Sequence, residues 1–125
     1  MSTHTFNKVL RRIRWFLPLF LFVLLPSTAY AQLDRQYIRT GNRFFKAQAF
    51  DKAEAEYRKA LTKNPSNPQA LYNLGCALMA QQQDSAAAEQ FDQAGKLEQN
   101  KLRRSKAYHN IGWICQRHQL FNQAI

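Results

Sequence analysis

The carboxy-terminal third of the chain holds the residues best suited to chemistry. Cys115 and His118 are three residues apart, a spacing that puts a thiol and an imidazole on one face of a helix, as a metal site requires. Zinc needs three or four ligands, and His109, the next candidate, lies almost two helical turns away. We therefore interpret Cys115 as a core residue and His118 as a surface residue, and we predict no metal and no cofactor.

Basic and aromatic residues also alternate over residues 103–117, a pattern that could contact nucleic acid. The amino terminus resembles an export signal, however, and a secreted chain meets little nucleic acid, so we predict no such partner. The sequence has no nucleophile paired with a base, no phosphate-binding loop and no paired-carboxylate site, which predicts that the protein is not an enzyme. The basic and aromatic residues are Arg103, Arg104, Lys106, Trp113 and Arg117.

Residues 1–31 have the three parts of a secretory signal peptide. A polar, basic stretch precedes an apolar run from Trp15 to Leu25, and the small residues Ala29 and Ala31 follow it. We predict cleavage after Ala31, so that the mature chain starts at Gln32 and is exported to the periplasm or another extracytoplasmic location. At about 1.5 Å per residue the apolar run covers only about half of a bilayer core, which favours cleavage over a retained anchor.

Charge and length limit the remaining chain to one small basic domain. Residues 32–125 carry 14 of the 18 basic residues and all 8 acidic ones. This excess favours an anionic partner or a negatively charged surface, although solubility alone also accounts for it.

An internal repeat organises residues 32–125, with the same types of residue recurring at a fixed spacing. Gly41 recurs as Gly75, 34 residues on, and a third copy begins around Gly112 after a step of 37 residues. Ala53, Tyr57 and Ala60 have counterparts in Ala87, Phe91 and Ala94 at the same spacing of 34 residues. The pattern predicts three units, at about 34–67, 68–104 and 105–125.

Each unit is predicted to contain two helices. Glycine inside a helix costs about 1 kcal/mol relative to alanine, so its recurrence indicates close contact between helices. Asp51, with Glu54 three residues later, is the predicted cap of the second helix, and Asn67 is the predicted cap of the third. Gly95 stands where the first unit has Leu61, which predicts looser packing at that end of the helix.

The third unit is predicted to differ from the first two. The three additional residues of the longer repeat lie within 98–104 and are expected to form a longer, basic connection. Phe121 marks the predicted turn, and a second helix starting at about Asn122 would have one turn at most. We therefore expect this unit to be incomplete and the chain to be part of a longer protein.

The motif residues of the first unit resemble the tetratricopeptide (TPR) pattern. These residues are Tyr37, Thr40, Gly41, Phe44, Ala53, Tyr57 and Pro65. The resemblance implies an all-α solenoid of helix-turn-helix repeats, about two and a half of them after the signal peptide. It also implies a non-catalytic, protein-binding function. Within the family, the export signal and the later unit resemble the TPR proteins of bacterial aerotolerance (Bat) operons.

In that family the first helices of successive repeats line a concave groove that binds peptides or partner proteins. The resemblance implies that the groove is lined by Asn42, Phe45 and Lys46 in the first unit, Tyr72, Asn73, Cys76 and Met79 in the second, and Lys106, His109, Trp113 and Arg117 in the third. Arg35, Ile38, Gln69, Ala80 and Gln116 are expected in the same lining. This lining suits a peptide with apolar anchors and a negative group.

Some TPR modules hold a terminal carboxylate with a clamp of five polar residues. Asn42, Asn73 and Lys106 match three of those places, whereas Ile38 and Asn110 replace the other two, so the resemblance to these modules is incomplete. Two hypotheses remain open. The protein is either a scaffold of the cell envelope released by cleavage, or a subunit of an envelope complex tethered to the membrane by an uncut amino-terminal segment.

Overall fold

The computed structural model describes the backbone from Thr3 to Ala124 and the side chains in that range, except those of residues 4, 12–31, 120, 121, 123 and 124. Five helices lie within the described backbone, and each packs mainly against its neighbour in the chain. The helices are α1 (Thr3–Lys46), α2 (Phe50–Lys63), α3 (Pro68–Ala80), α4 (Asp84–Leu97) and α5 (Lys101–Ala124).

Helix α1 has 44 residues, which corresponds to a length of about 66 Å. Its carboxy-terminal part forms the first hairpin with α2, while the backbone continues as helix through the predicted cleavage position. The side chains of Ala29 and Ala31 are outside the described residues, and the signal peptide stays a prediction. Over the described residues, no helix combines the length and the apolar character that a membrane crossing requires.

The first two units have the same type of turn between their two helices. Gln48 and Gln82 are 34 residues apart, and both adopt the left-handed conformation, with φ of 60° and 62°. The amide after each of them donates to a carbonyl five residues back: Ala49 to Phe44 at 3.0 Å, and Gln83 to Leu78 at 2.9 Å. These bonds satisfy carbonyls that the end of the helix would leave free, so the sequence repeat is also a backbone repeat.

Glycines allow the two helices of each hairpin to approach closely, as their recurrence predicted. A Cβ atom added to Gly41 would lie 2.5 Å from the ring of Tyr57, and one added to Gly75 would lie 2.7 Å from the ring of Phe91. Both rings are almost completely buried. The aromatic residue that follows each glycine by 16 positions therefore fills the centre of its hairpin.

Asn67 caps α3 as predicted, because its Oδ1 accepts hydrogen bonds from the amides of Gln69 at 3.0 Å and Ala70 at 3.2 Å. The predicted cap at Asp51 is wrong. Helix α2 begins at Phe50, its N-cap is Ala49, and no side chain caps it. After the turn at Gln48 the helix begins one residue before Asp51. Asp51 therefore lies in the first helical turn, where its negative charge interacts favourably with the helix dipole.

The junction between the second and third units is tighter than predicted. Helix α5 begins at Lys101, so most of the basic segment 98–104 adds to the helix and does not form a longer connection. Gly95 is buried, and a Cβ atom there would lie 2.7 Å from the ring of Tyr108. The aromatic ring fills the space that glycine leaves, so the predicted looseness at this position is wrong.

The predicted turn at Phe121 is also wrong, since α5 continues as one helix to Ala124. Gln119 stands at the repeat position of Gln48 and Gln82, but its backbone stays helical. The helical i to i+4 hydrogen bonding therefore continues past the position at which the first two units turn.

Candidate functional site

Three neighbouring clefts cross the faces of α1, α3 and α5. The widest follows α1 and has a volume of about 990 Å³, a smaller one of about 240 Å³ lies between α1 and α3, and a third of about 530 Å³ lies between α3 and the start of α5. Asn42 and Lys46 line both the first and the second cleft, and Asn73 lines both the second and the third. The three clefts therefore form one continuous surface, which we call the groove.

The α1 end of the groove is a row of cations. Arg35, Arg39, Arg43 and Lys46 follow one another at intervals of four, four and three residues, so they share one face of the helix. None of them has a carboxylate partner among the described residues. The sequence reading missed Arg39 and Arg43, although their four-residue spacing from Arg35 was a usable signal.

The middle of the groove has a polar floor that joins α1, α2 and α3. Oδ1 of Asn42 accepts one hydrogen bond from the hydroxyl of Tyr57 at 2.8 Å and another from Nδ2 of Asn73 at 3.0 Å. Phe45 and Cys76 line the same cleft. Because Oδ1 of Asn42 accepts both hydrogen bonds, this residue links α1 to α2 and α3 in the floor of the groove.

The α5 end of the groove combines an aromatic residue, an amide and a cation. Tyr72, Asn73 and Lys106 line this cleft. The hydroxyl of Tyr72 accepts a hydrogen bond from Nδ2 of Asn110 at 3.3 Å, and its ring centre lies 5.5 Å from that of Phe91. Tyr72 is therefore half-buried and supports the groove as much as it lines it.

Positive charge dominates the groove. Glu98 is the acidic residue in its lining, and its carboxylate accepts two hydrogen bonds from Arg103, at 3.0 and 3.1 Å. These bonds hold the pKa of Glu98 below its usual value, so the carboxylate stays ionised and neutralises Arg103. Lys106 and the α1 cations remain available for an anion, since no described carboxylate pairs with them.

Burial suppresses the acid-base chemistry of the groove floor. It raises the pKa of the Cys76 thiol to about 11 and the pKa of Tyr57 to about 12, and it also raises the pKa of Tyr72. A thiol with so high a pKa is protonated near neutral pH and is a poor nucleophile. These groups are therefore suited to packing and hydrogen bonding.

Seven residues expected in the groove lining lie outside the three clefts, among them Ala80 and Gln116. Met79 packs against the hydrophobic core, and Ile38 is buried with Ala60 and Ala70 in a second cluster, because the repeat turns these positions toward the neighbouring helix. His109, Trp113 and Arg117 lie on α5 outside the three clefts, with the guanidinium of Arg117 4.5 Å from the ring centre of Trp113.

A charged contact fastens α5 to the start of α4, and the sequence reading missed it. Both carboxylate oxygens of Asp84 accept hydrogen bonds from Arg117, one of them from Nε at 3.1 Å, and Nε2 of His118 lies 3.0 Å from Oδ2. At the preceding junction Gln81, the repeat counterpart of His118, donates to Glu54 at 2.8 Å. The same position therefore joins successive units in both places.

The structure separates Cys115 from His118, the pair that the sequence placed on one helical face. His118 faces the carboxylate of Asp84, whereas Cys115 is exposed, which corrects its interpretation as a core residue. Within the described part of the chain, no group of three or more histidine, cysteine and acidic side chains is arranged to hold a metal ion.

Two hairpins with the same turn and the same glycine–aromatic contact, followed by α5, define a helical repeat protein. The family model for the TPR repeat matches residues 41–82, and this match supports the tetratricopeptide family that the sequence pattern indicated. The all-helical architecture is consistent with a tetratricopeptide solenoid. No match was found among curated proteins. TPR repeats generally mediate protein–protein interaction, so a protein partner is the kind of ligand that the family suggests.

Proposed function

We propose that this protein is a non-catalytic scaffold of the cell envelope that binds a peptide or partner protein along the groove, through apolar anchors and negative charge on the partner. The continuous groove carries this proposal. Its cations lie at both ends, and its acidic residue is already neutralised by Arg103. An acidic segment would meet charge-assisted hydrogen bonds along its length.

Aromatic side chains supply the apolar contacts. Phe45 is half-buried, with its ring centre 5.1 Å from that of Phe50 in an edge-on arrangement, so its position is fixed before any partner binds. Tyr72 is held between Phe91 and Asn110. Rigid aromatic residues beside cations are typical of the positions that contribute most to protein interfaces.

The envelope location and the aerotolerance-operon role rest on the sequence. A cleaved signal would release an exported scaffold, whereas an uncut segment would tether the same groove to a membrane complex. Mass spectrometry of the protein from native membranes distinguishes the two. A mature start at Gln32 supports the free scaffold, and an intact Met1 supports the tethered alternative.

Crosslinking in the native host tests the groove itself. A photoreactive amino acid replaces Lys46 at one end of the groove or Lys106 at the other, and the matched control replaces Lys63, an exposed lysine at the end of α2 outside the three clefts. We expect the two groove positions to crosslink to the same partner and the control position to give no such product.

Charge reversal then tests the acidic character of that partner. We expect Lys46→Glu and Lys106→Glu each to weaken binding of the crosslinked partner by about tenfold, since each replaces an attraction with a repulsion. Lys63→Glu changes the net charge equally and should leave binding unchanged. Equal binding by all three variants, with unchanged helix content, would show that the groove is not the binding surface.

A further inference from the structure

The cations at the α1 end of the groove have a spacing that is unfavourable for an isolated helix. In α2 and α4, three cations pair with an acidic residue three or four positions earlier, as Lys96 does with Asp92 at 2.6 Å. On α1 the residues at such intervals are cations only, and like charges at this spacing repel each other. We call Arg35, Arg39, Arg43 and Lys46 the α1 row.

No acidic residue of the chain neutralises the α1 row. All eight acidic residues lie from Asp34 to Glu98, within the described part of the chain, and none forms an ion pair with the row. Asp34, the nearest in sequence, is buried, and one of its carboxylate oxygens accepts hydrogen bonds from Asn64 at 3.2 Å and Asn67 at 3.1 Å. The row therefore offers four exposed cations to an anion outside the chain.

The neighbouring cleft indicates what kind of anion this is. Lys46, the last cation of the row, also lines the cleft of about 240 Å³ between α1 and α3, together with Phe45 and Cys76. An apolar side chain can enter a cleft of this size, whereas the flat surface of a membrane cannot. A ligand that binds along the row and also fills this cleft is therefore an acidic segment of a protein.

The spacing of the row favours a helix among acidic segments. Its four cations extend over 11 residues of α1, about 16 Å along the helix axis. A second helix with acidic residues at intervals of four, four and three has the same spacing, so it places one carboxylate near each cation. None of the five described helices carries three acidic residues at such intervals, so a second copy does not supply this pattern.

We propose that the α1 row is a docking site for an acidic helix of a partner protein, which lies along α1 and places an apolar side chain in the α1–α3 cleft. The carboxylates form charge-assisted hydrogen bonds with the guanidinium groups, which can bind them through two N–H donors. They also relieve the repulsion between the cations of the row. The proposal rests on protein binding in the groove, and it specifies the segment that binds at the α1 end.

Two synthetic helices of about 20 residues test the spacing. Both contain four glutamates on a background of alanine and glutamine, with a leucine one turn beyond each end of the glutamates. In the matched peptide the glutamates lie four, four and three residues apart, and in its isomer they are distributed around the helix. Anisotropy of the labelled peptides gives their Kd for the full chain, and circular dichroism checks that their helicity is equal. We expect the matched peptide to bind at least about tenfold more tightly.

Variants of the chain locate the bound peptide. Arg39→Glu should weaken binding of the matched peptide at least about tenfold, because it places a repulsive charge in the middle of the row. Arg39→Lys keeps the positive charge and should change the Kd by no more than about threefold. Lys63→Glu alters the net charge as Arg39→Glu does, at an exposed position outside the three clefts, and should leave binding unchanged.

A change in the peptide tests the apolar contact. Serine in place of both leucines should weaken binding by about threefold or more, since it removes the side chain that enters the α1–α3 cleft. Unchanged binding would overturn the assignment of this cleft. Equal Kd values for the matched peptide and its isomer, or for Arg39→Glu and Lys63→Glu, would overturn the helix site. If vesicles of phosphatidylglycerol then bound the parent chain but not Arg39→Glu, the row would be a membrane contact.

These outcomes are separable from those of the proposed function. Crosslinks from both Lys46 and Lys106 to one partner, without any preference for the matched peptide, would retain the groove and refute the acidic helix. A preference for the matched peptide that Arg39→Glu removes, without a crosslink at Lys106, would retain the helix site and refute the continuous groove.

Discussion

Helices α3 and α5 occupy the same place in successive units, yet among the described residues only the glycine of α3 is covered by a ring. On α3 the ring of Phe91 lies against Gly75, and three leucines around it are buried. On α5 Gly112 has open space above it. The difference shows that the glycine of this repeat only allows two helices to approach each other closely. The stabilising free energy comes from the aromatic ring that fills the space above the glycine.

Phe91→Ala should have the largest effect, because it removes the ring that covers Gly75. The glycine of α3 would then be as open as Gly112 of α5. Phe91 is among the largest fully buried side chains, and its removal should cost about 3–5 kcal/mol of the free energy of unfolding. Urea denaturation measures this value. A loss of less than about 1 kcal/mol would mean that the ring does not hold the hairpin together.

Asp84→Ala should cause the next largest loss, because it releases α5 from α4. We expect the free energy of unfolding to fall by about 1–2 kcal/mol. This value is low for hydrogen bonds to a charged group, because Arg117 is partly exposed. Asp92→Ala is the matched control, since Asp92 forms an exposed pair with Lys96 and should cost no more than about 0.5 kcal/mol. Equal losses in the two variants would contradict a fastening role for Asp84.

Alanine at the two glycines should have effects of opposite sign. Gly75→Ala inserts a Cβ atom 2.7 Å from a buried ring, and the resulting strain of about 1–3 kcal/mol exceeds the gain of about 1 kcal/mol in helix propensity. Gly112→Ala meets no neighbour and should stabilise α5 by up to about 1 kcal/mol. Thermal melting of both variants decides, and stabilisation by both would show that the Gly75 contact is not tight.

Glycine at the turn positions gives the smallest contrast. Gln82 has φ of 62°, which glycine adopts more readily, so Gln82→Gly should stabilise the second hairpin by about 0.5–1 kcal/mol. Gln119 is helical, so Gln119→Gly should destabilise α5 by about the same amount. If Gln119→Gly were also stabilising in the same denaturation experiments, residue 119 would form a turn in solution.

The features predictable from sequence were those that recur at a fixed spacing. The recurrence of Gly41 and Gly75 correctly predicted that the two helices of each hairpin approach closely. Asn67 was predictable as a cap because the proline that follows it marks a helix start. Much of the predicted groove lining also came together, since the repeat places equivalent residues on equivalent faces.

Features that depend on contacts between units were not predictable. From the sequence, Asp84 is an acidic residue in the first turn of a helix. Only the packing of α5 against α4 brings it close to Arg117, 33 residues away. The repeat predicted a turn at Phe121, but α5 continues as helix to Ala124. Tyr108 compensates for Gly95 in the same way, through a contact between different units.

Hydrogen exchange tests most directly whether α3 is more stable than α5 because a ring covers its glycine. In the monomeric full chain we expect the amides of residues 108–119 to exchange at least about tenfold faster than those of residues 71–79, because opening α5 exposes less buried surface. Equal protection of the two segments in a demonstrated monomer would contradict the account, since α5 would then be as stable without a covering helix as α3 is with one.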